Sequence, residues 1–403
     1  MNISTFQNNL HFIKSLYFNE EWKDKKCRDE VLRVLEEANG KIEKAFGESI
    51  CVLKDHKPSL EAVEKVANKF PSTLTYRNDR GRIPIQHAVI SCNGYEYVPV
   101  LAEEGMKHEV GGEDARGGLL MVDPYKNWGL NTMQLLASVR SYDGEDDDDR
   151  RHSDVKRLNL LKELREMDLL LKRDIQEQHL LACSCWKLSQ MRFEYLADWD
   201  KDALIETRIG NEEMIHVMSS QPQEIIGLLL KAGFKYHPNI GGLLFIEDDQ
   251  GNTAFDHLVN EKGVEVVMSL LHEILSPNRD YPILHHVFVK APQHKDLFMN
   301  KFPWAYSLKD HNGRTLHQAV LAAGPDVMIA NDILLATLTD DQFQTQDPIN
   351  NLYPFAAMAV GEHANLEKIF YLLRRQPSVM ERHSRSSSWN SCASFQSEDE
   401  YQR

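Results

Sequence analysis

Apolar residues recur along most of this chain three and four positions apart, and short stretches rich in Gly, Pro, Asn and Asp interrupt them. That spacing predicts amphipathic helices joined by tight turns. Over residues 29–46, Val31, Leu32, Val34, Leu35, Ala38, Ile42 and Ala45 share one helical face. Ser59 is placed to cap a second helix through Ala62, Val63, Val66, Ala67 and Phe70, which Pro71 stops. Residues 78–89 then read as a tight turn at Gly81, an extended step into Pro84, and a helix carrying Ile85, His87 and Ala88. Proline suits a first helical position because its missing N–H would be unpaired there.

Versions of this turn-to-helix stretch recur. Gly129 precedes Thr132 and Met133, Gly210 precedes Met214 and Ile215, Gly251 precedes Thr253 and Phe255, and Gly313 precedes Thr315 and Leu316. Pro282 and Pro354 open two more without the glycine, giving seven in all. Their spacing is irregular, from roughly 30 to roughly 80 residues, unlike a strict array. A longer match supports the recurrence. Gly105 is followed by Gly117-Gly118-Leu119-Leu120 and Asp123, and Gly233 by Gly241-Gly242-Leu243-Leu244 and Asp248. Several units close with a second helix: from Val98, from Pro222 with Ser220 as its cap, from Val264 and from Leu366. The turn around Gly111, Gly112, Gly117 and Gly118 reads as a hairpin-like finger. No Gly-Lys-Ser/Thr follows to make it a phosphate cradle, for which Arg116 would be the nearby cation.

Residues 141–151 form an acidic run with Asp143 and Glu145 to Asp149. A helix is expected after it, capped by Ser153 or Asp154 and lined by Leu158, Leu161, Leu164, Met167 and Leu171. From residue 381 the chain is Ser-rich and polar, which predicts disorder. The expected organisation is a helical cap at 1–55, repeats at 56–140, an acidic linker at 141–152, a helical insertion with further repeats at 153–380, and a disordered tail at 381–403. The fold class is all-α, a solenoid of helix-turn-helix units with hairpin-like loops. Its 403 residues suit either such an array or two to three compact domains.

The net charge of −15 argues against a nucleic-acid footprint, which needs a clustered basic surface. It also argues against charge-driven membrane binding. No apolar run approaches the roughly 20 residues that span a bilayer, and residues 1–19 do not read as a secretory signal. Cys27, Cys51, Cys92, Cys183, Cys185 and Cys392 are scattered, as structural thiols in a reducing compartment would be. The expected location is intracellular, cytoplasm or nucleus.

The residues also resemble a known family. Gly81-Pro84-His87-Ala88, Gly251-Thr253-His257, Pro282-Leu284-His285 and Gly313-Thr315-Leu316-His317-Ala319 are similar to the helix-opening Thr-Pro-Leu-His-x-Ala pattern of ankyrin repeats. None is the full pattern, and His87 and His257 are displaced from the family's histidine. The resemblance is closer to the divergent ankyrin-like proteins expanded in diatoms, through residues 281–286 with Ala291-Pro292, the doubled Gly-Gly-Leu-Leu, and Asp347-Pro348 with residues 352–355. It covers roughly residues 55 to 380. It implies an α-solenoid with a binding role, no catalysis and no cofactor, and histidines (His87, His216, His257, His285, His317) that fasten turns by hydrogen bonding.

The expected function is thus a non-catalytic scaffold or adaptor for an unidentified protein partner, monomeric on its own. Tyr76, Arg80, Arg82, Tyr125, Lys126, Trp128, His311 and Arg314 are the candidate contacts, because aromatic and Arg side chains in projecting turns anchor interfaces. Two alternatives stand beside it. One is an enzyme with an unrecognised site, metal-dependent if it draws on the acidic run or on His179, Cys183 and Cys185. The other is an adaptor regulated by phosphorylation, with Ser153 after Arg150-Arg151 and Ser387 in the tail as sites.

Overall fold

A computed structural model describes residues 59–91, 94–124, 129–138, 147–186, 189–324, 340–360 and 366–375, with single positions between 33 and 45 and at 327, 334 and 364. The expected N-terminal cap, most of it, and the Ser-rich tail fall outside the described residues, as does the acidic run before residue 147. The chain divides into two units, residues 1–208 and 209–403. Regular structure is almost wholly helical. Among the described residues the strands are β1 (Arg208–Ile209) and β2 (Glu212–Glu213), which pair with each other, and three isolated antiparallel bridges lie elsewhere. No described helix is long and apolar enough to cross a membrane.

In the first unit, Ser59 Oγ accepts the Ala62 N–H at 3.2 Å and caps α1 (Leu60–Lys69), which ends at Phe70 before Pro71 turns the chain. After a loop, α2 (Pro84–Ile90) begins on proline, and α3 (Val98–Lys107) runs to Gly105 near its end. A methyl group on Gly105 would lie 2.4 Å from the Gly117 carbonyl oxygen, so backbone meets backbone there without room for a side chain. Gly233 is likewise without room, its added methyl lying 2.7 Å from Leu243 Cγ and 2.8 Å from the Leu243 backbone N. That close approach is the physical reason for the repeated Gly…Gly-Gly-Leu-Leu pattern, whose leucines Leu119, Leu243 and Leu244 are fully buried. The expected hairpin-like finger around Gly117 is instead a short 3-10 stretch, Glu113–Gly118, broken by positive φ at Arg116 (44°) and Gly117 (64°). Arg116 is drawn to the buried Asp174 carboxylate rather than to any ligand cradle.

The unit continues through α4 (Thr132–Ser138), α5 (Asp147–Glu166), α6 (Lys172–Glu177), α7 (Leu180–Trp186), α8 (Gln190–Trp199) and α9 (Ala203–Glu206). Helix α5 starts inside the acidic run, so neither Ser153 nor Asp154 caps it. Acidic residues suit that end of a helix dipole. Ser153 is buried and its Oγ lies 3.2 Å from the Tyr95 hydroxyl, while Asp154 pairs with Arg192 at 2.7 Å. Two buried arginines hold this packing. Arg157 donates from Nε and Nη2 to Tyr95 Oη at 2.8 and 2.6 Å, and Arg192 donates to the Leu136 and Ala137 carbonyls.

The second unit carries α10 (Met214–Met218), α11 (Gln223–Tyr236), α12 (Ala254–Lys262), α13 (Val264–Leu275), α14 (Ile283–Lys290), α15 (Lys295–Lys301), α16 (Leu316–Ala322), α17 (Asp340–Gln344), α18 (Pro354–Ala357) and α19 (Leu366–Arg375). Pro222, not Ser220, stands at the N-cap of α11. Phe255 and Phe298 ring centroids lie 5.1 Å apart and Phe298 and Phe302 5.7 Å apart, and Leu271, Leu284, Phe288, Leu316 and Val320 are buried as well. All seven expected helix openings begin a helix: α2, α4, α10, α12, α14, α16 and α18.

Candidate functional site

Four of the loops that precede these helices, those before α2, α12, α16 and α18, are built on one device. An Asx side chain at the loop head accepts backbone N–H groups two to four residues on, and so closes the turn. Asn78 Oδ1 accepts from Arg80 and Arg82 at 3.0 and 3.1 Å. Asp248 Oδ1 accepts from Gln250 and Asn252, both at 2.8 Å, and Asp310 Oδ1 from Asn312 and Arg314 at 2.9 and 2.8 Å. Asp347 Oδ1 accepts from Ile349 and Asn350 at 2.8 and 3.1 Å. Where a glycine completes the turn it takes positive φ: 75° at Gly81, 80° at Gly251 and 78° at Gly313. Backbone bridges close three loop necks: Val122 to Asn131, Glu247 to Thr253 and Lys309 to Thr315.

In five of the seven following helices the third residue reaches a later segment. Gln86 Nε2 donates to the Met121 carbonyl, Gln134 Nε2 to the Gln178 carbonyl and Gln318 Nε2 to the Gln346 carbonyl, each at 3.0 Å. At the equivalent position His285 Nε2 lies 3.2 Å from the Arg314 carbonyl, and Asp256 Oδ1 lies 2.8 Å from His294 Nε2. The same glutamines accept the N–H of their own N-cap residue, as Gln86 does from Ile83 at 3.1 Å and Gln318 from Thr315 at 3.0 Å. One side chain thus caps its helix and ties it to the next segment. Of the histidines expected to fasten turns, His285 does so in this way, and His317 meets the Tyr306 hydroxyl at 3.2 Å. In the first loop the fastener is Gln86, not its neighbour His87.

The candidate contact residues separate into groups. Arg80 and His311 are exposed at loop tips, and Tyr76 is half-buried. Arg82 and Arg314 point inward. Arg82 Nε and Nη2 each approach Asp123 Oδ2 at 2.8 Å, and Arg314 Nε approaches Asp347 Oδ2 at 2.7 Å. Both arginines follow the loop glycine; Asp347 heads the next Asx loop, and Asp123 stands before the next helix, α4. Burial raises the Asp347 carboxyl, but the hydrogen bonds from Arg314, Asn350 and Ile349 outweigh it and hold it below the usual carboxylate range. Sequence reading placed these arginines at the surface because charge in a loop ordinarily sits there. Tyr125, Lys126, Trp128 and Ser387 lie outside the described residues. Ser153, the other expected phosphorylation site, is buried.

Cys183 and Cys185 are buried, and burial pushes both thiols up to about 12, so neither offers a thiolate near neutral pH. A different set of donors converges, one that sequence reading did not assemble. His216 on α10, Asp248 at its loop head and His257 on α12 place one ligand atom each within 4.8 Å of one another. His257 Nε2 lies 2.9 Å from Asp248 Oδ2. The His216 and His257 rings meet edge to face at 4.8 Å. The hydrogen bond from His257, with the Asn252 and Gln250 N–H groups, holds the Asp248 carboxyl well below its usual range despite some opposing desolvation. Burial lowers His216, and the neighbouring His257 adds to it. His216 is distant in sequence from Asp248 and His257, which are nine residues apart, and no motif spacing marks the three.

Comparison with protein-family models gave no match, and no curated protein matched the sequence.

Proposed function

We propose that the chain is a non-catalytic protein-interaction module made of degenerate ankyrin-like repeats stacked as an α-solenoid, and that its loop tips present the contacts. One observation carries this reading. Four loops close on a head Asx, and in five of the seven units the third helical residue reaches a segment that follows. Such neighbour-to-neighbour bonding is how a repeat array gains stability and how its loops come to stand in register. Arg82 and Arg314 are spent inside this bonding, so contact falls to Arg80 and His311, with Tyr76 at the rim. The partner is a protein; the net charge of −15 speaks against nucleic acid.

The test is cross-linking capture from the native cell with wild type and the double variant Arg80→Glu, His311→Glu. Both residues are exposed, so melting should move by no more than about 0.5 kcal/mol equivalent. A partner whose recovery falls sharply with the double variant supports the reading. Recovery of the same partners in the same yield contradicts the assignment of these tips.

A further inference from the structure

We propose that His216, Asp248 and His257 bind a divalent transition-metal ion, with zinc the ion that the donor set suits best. The donors come from three separate pieces of chain: α10, the loop head and α12. They nevertheless bring their ligand atoms within 4.8 Å of one another, and this is the one such group of three among the described residues.

His216 supplies the second observation. It is 4% exposed, and neither ring nitrogen has a hydrogen-bond partner. Leaving a buried polar group unsatisfied costs about 1–3 kcal/mol, and proteins ordinarily avoid it. His285 and His317 are as deeply buried, yet each uses one nitrogen, on the Arg314 carbonyl and the Tyr306 hydroxyl. Among the described residues His216 is the one histidine with both nitrogens buried and unpartnered, and it stands beside an imidazole and a carboxylate. A metal ion supplies the missing partner to one of them.

Asp248 is already oriented for the task. Its Oδ1 is held by the Gln250 and Asn252 N–H groups, and its Oδ2 faces His257 at 2.9 Å while accepting from Asn252 Nδ2 at 3.2 Å. Orienting bonds of this kind are what a ligating carboxylate needs around it. Ligand atoms about 2.0–2.2 Å from a tetrahedral zinc stand about 3.3 Å from one another. The His257–Asp248 pair, now at 2.9 Å, opens by a few tenths of an ångström, and His216 closes by side-chain rotation. His257 then carries its proton on Nδ1 and gives the Nε2 lone pair to the metal, so no net proton is lost from a neutral ring. Two imidazoles with one carboxylate suit zinc and its late first-row neighbours, whereas calcium and magnesium ask for oxygen ligands throughout. Water completes the fourth position on the side where His257 is one-third exposed. The ion ties the Asp248 loop to two helices, the service that arginine performs at Asp123 and Asp347.

The experiment uses the full chain, stripped with chelator and dialysed. It is titrated with zinc chloride by calorimetry and with cobalt(II) by visible absorption. Wild type should take up one equivalent of zinc, show tetrahedral cobalt bands and melt higher with zinc. His216→Ala and Asp248→Asn should each weaken binding at least about tenfold and lose the cobalt bands, with circular dichroism confirming the fold. Asp248→Asn keeps the turn, because Asn78 forms the same turn with its amide oxygen, so it decides the matter if His216→Ala fails to fold. His152→Ala, at an exposed position on α5, should bind as wild type. No stoichiometric zinc in wild type, or undiminished binding by folded Asp248→Asn, overturns the proposal.

Discussion

Two loops of the second unit close on the same backbone device and differ in what holds the head carboxylate. At Asp347, Oδ1 takes N–H groups of its own loop, and Oδ2 takes the Arg314 guanidinium from the loop before. At Asp248, Oδ1 again takes loop N–H groups, but Oδ2 takes His257 from the helix that follows, and His216 stands by with both nitrogens unpartnered. The difference originates one loop upstream. The residue after the loop glycine is Arg314 in one case, and Asn211 after Gly210 in the other. Where the chain delivers a guanidinium, the carboxylate becomes half of an ion pair between loops. Where it delivers a short amide, the same carboxylate is left to histidines. A scaffold position can thus change chemistry without changing its backbone.

Acidification should show the largest difference. Burial lowers His285, and it lowers His286 and His317 to about 4, while in the first unit His87 is lowered by burial with help from Arg82 and Arg80. Each folded-state value lies below the unfolded one, so the unfolded chain takes up protons first. The stability that neutral burial preserves is therefore complete above about pH 6.5 and is lost as pH falls toward 4, at up to about 1.4 kcal/mol per pH unit for each histidine. Urea unfolding at pH 7.5, 5.5 and 4.5 should show this loss, and hydrogen exchange should place most of it in the second unit. Equal loss in both units would mean that these rings are not buried neutral.

The Arg–Asp clasp comes next. Arg314→Met strands the Asp347 carboxylate at 6% exposure and should cost about 3 kcal/mol in urea unfolding. The smallest effect separates the two duties of the third helical residue. Gln318→Leu should cost about 1–2 kcal/mol, because both the cap to Thr315 and the bond to the Gln346 carbonyl are lost. Gln318→Glu keeps an acceptor for the Thr315 N–H and loses the donor, so it should cost part of that. Equal costs would mean the cap contributes nothing.

Helix positions were legible in the sequence because apolar spacing, proline at first helical positions and glycine at turns act locally. Ser59, Pro71, Pro84 and Gly81 each do what their chemistry dictates at short range. The doubled Gly-Gly-Leu-Leu was visible as a pattern, and its cause, the glycine-lined crossing at Gly105 and Gly117, needed three dimensions. Long-range partners were not legible. Arg82 meets a carboxylate 41 residues away and Arg314 one 33 residues away, and nothing near either residue marks it as inward-facing. Attention to histidine also hid Gln86, which holds the fastening position beside His87. Ser153 looked like a cap because an acidic run reads as a loop, and the helix begins within that run instead. The family resemblance remains a proposal that the recurring loop chemistry supports.

A double-mutant cycle on Arg314 and Asp347, using Arg314→Met, Asp347→Asn and the pair in urea unfolding, addresses most directly the claim that successive loops are fastened to one another. Fastened loops require the two single losses to overlap, with a coupling of about 1–3 kcal/mol. Losses that add to within about 0.3 kcal/mol would contradict it.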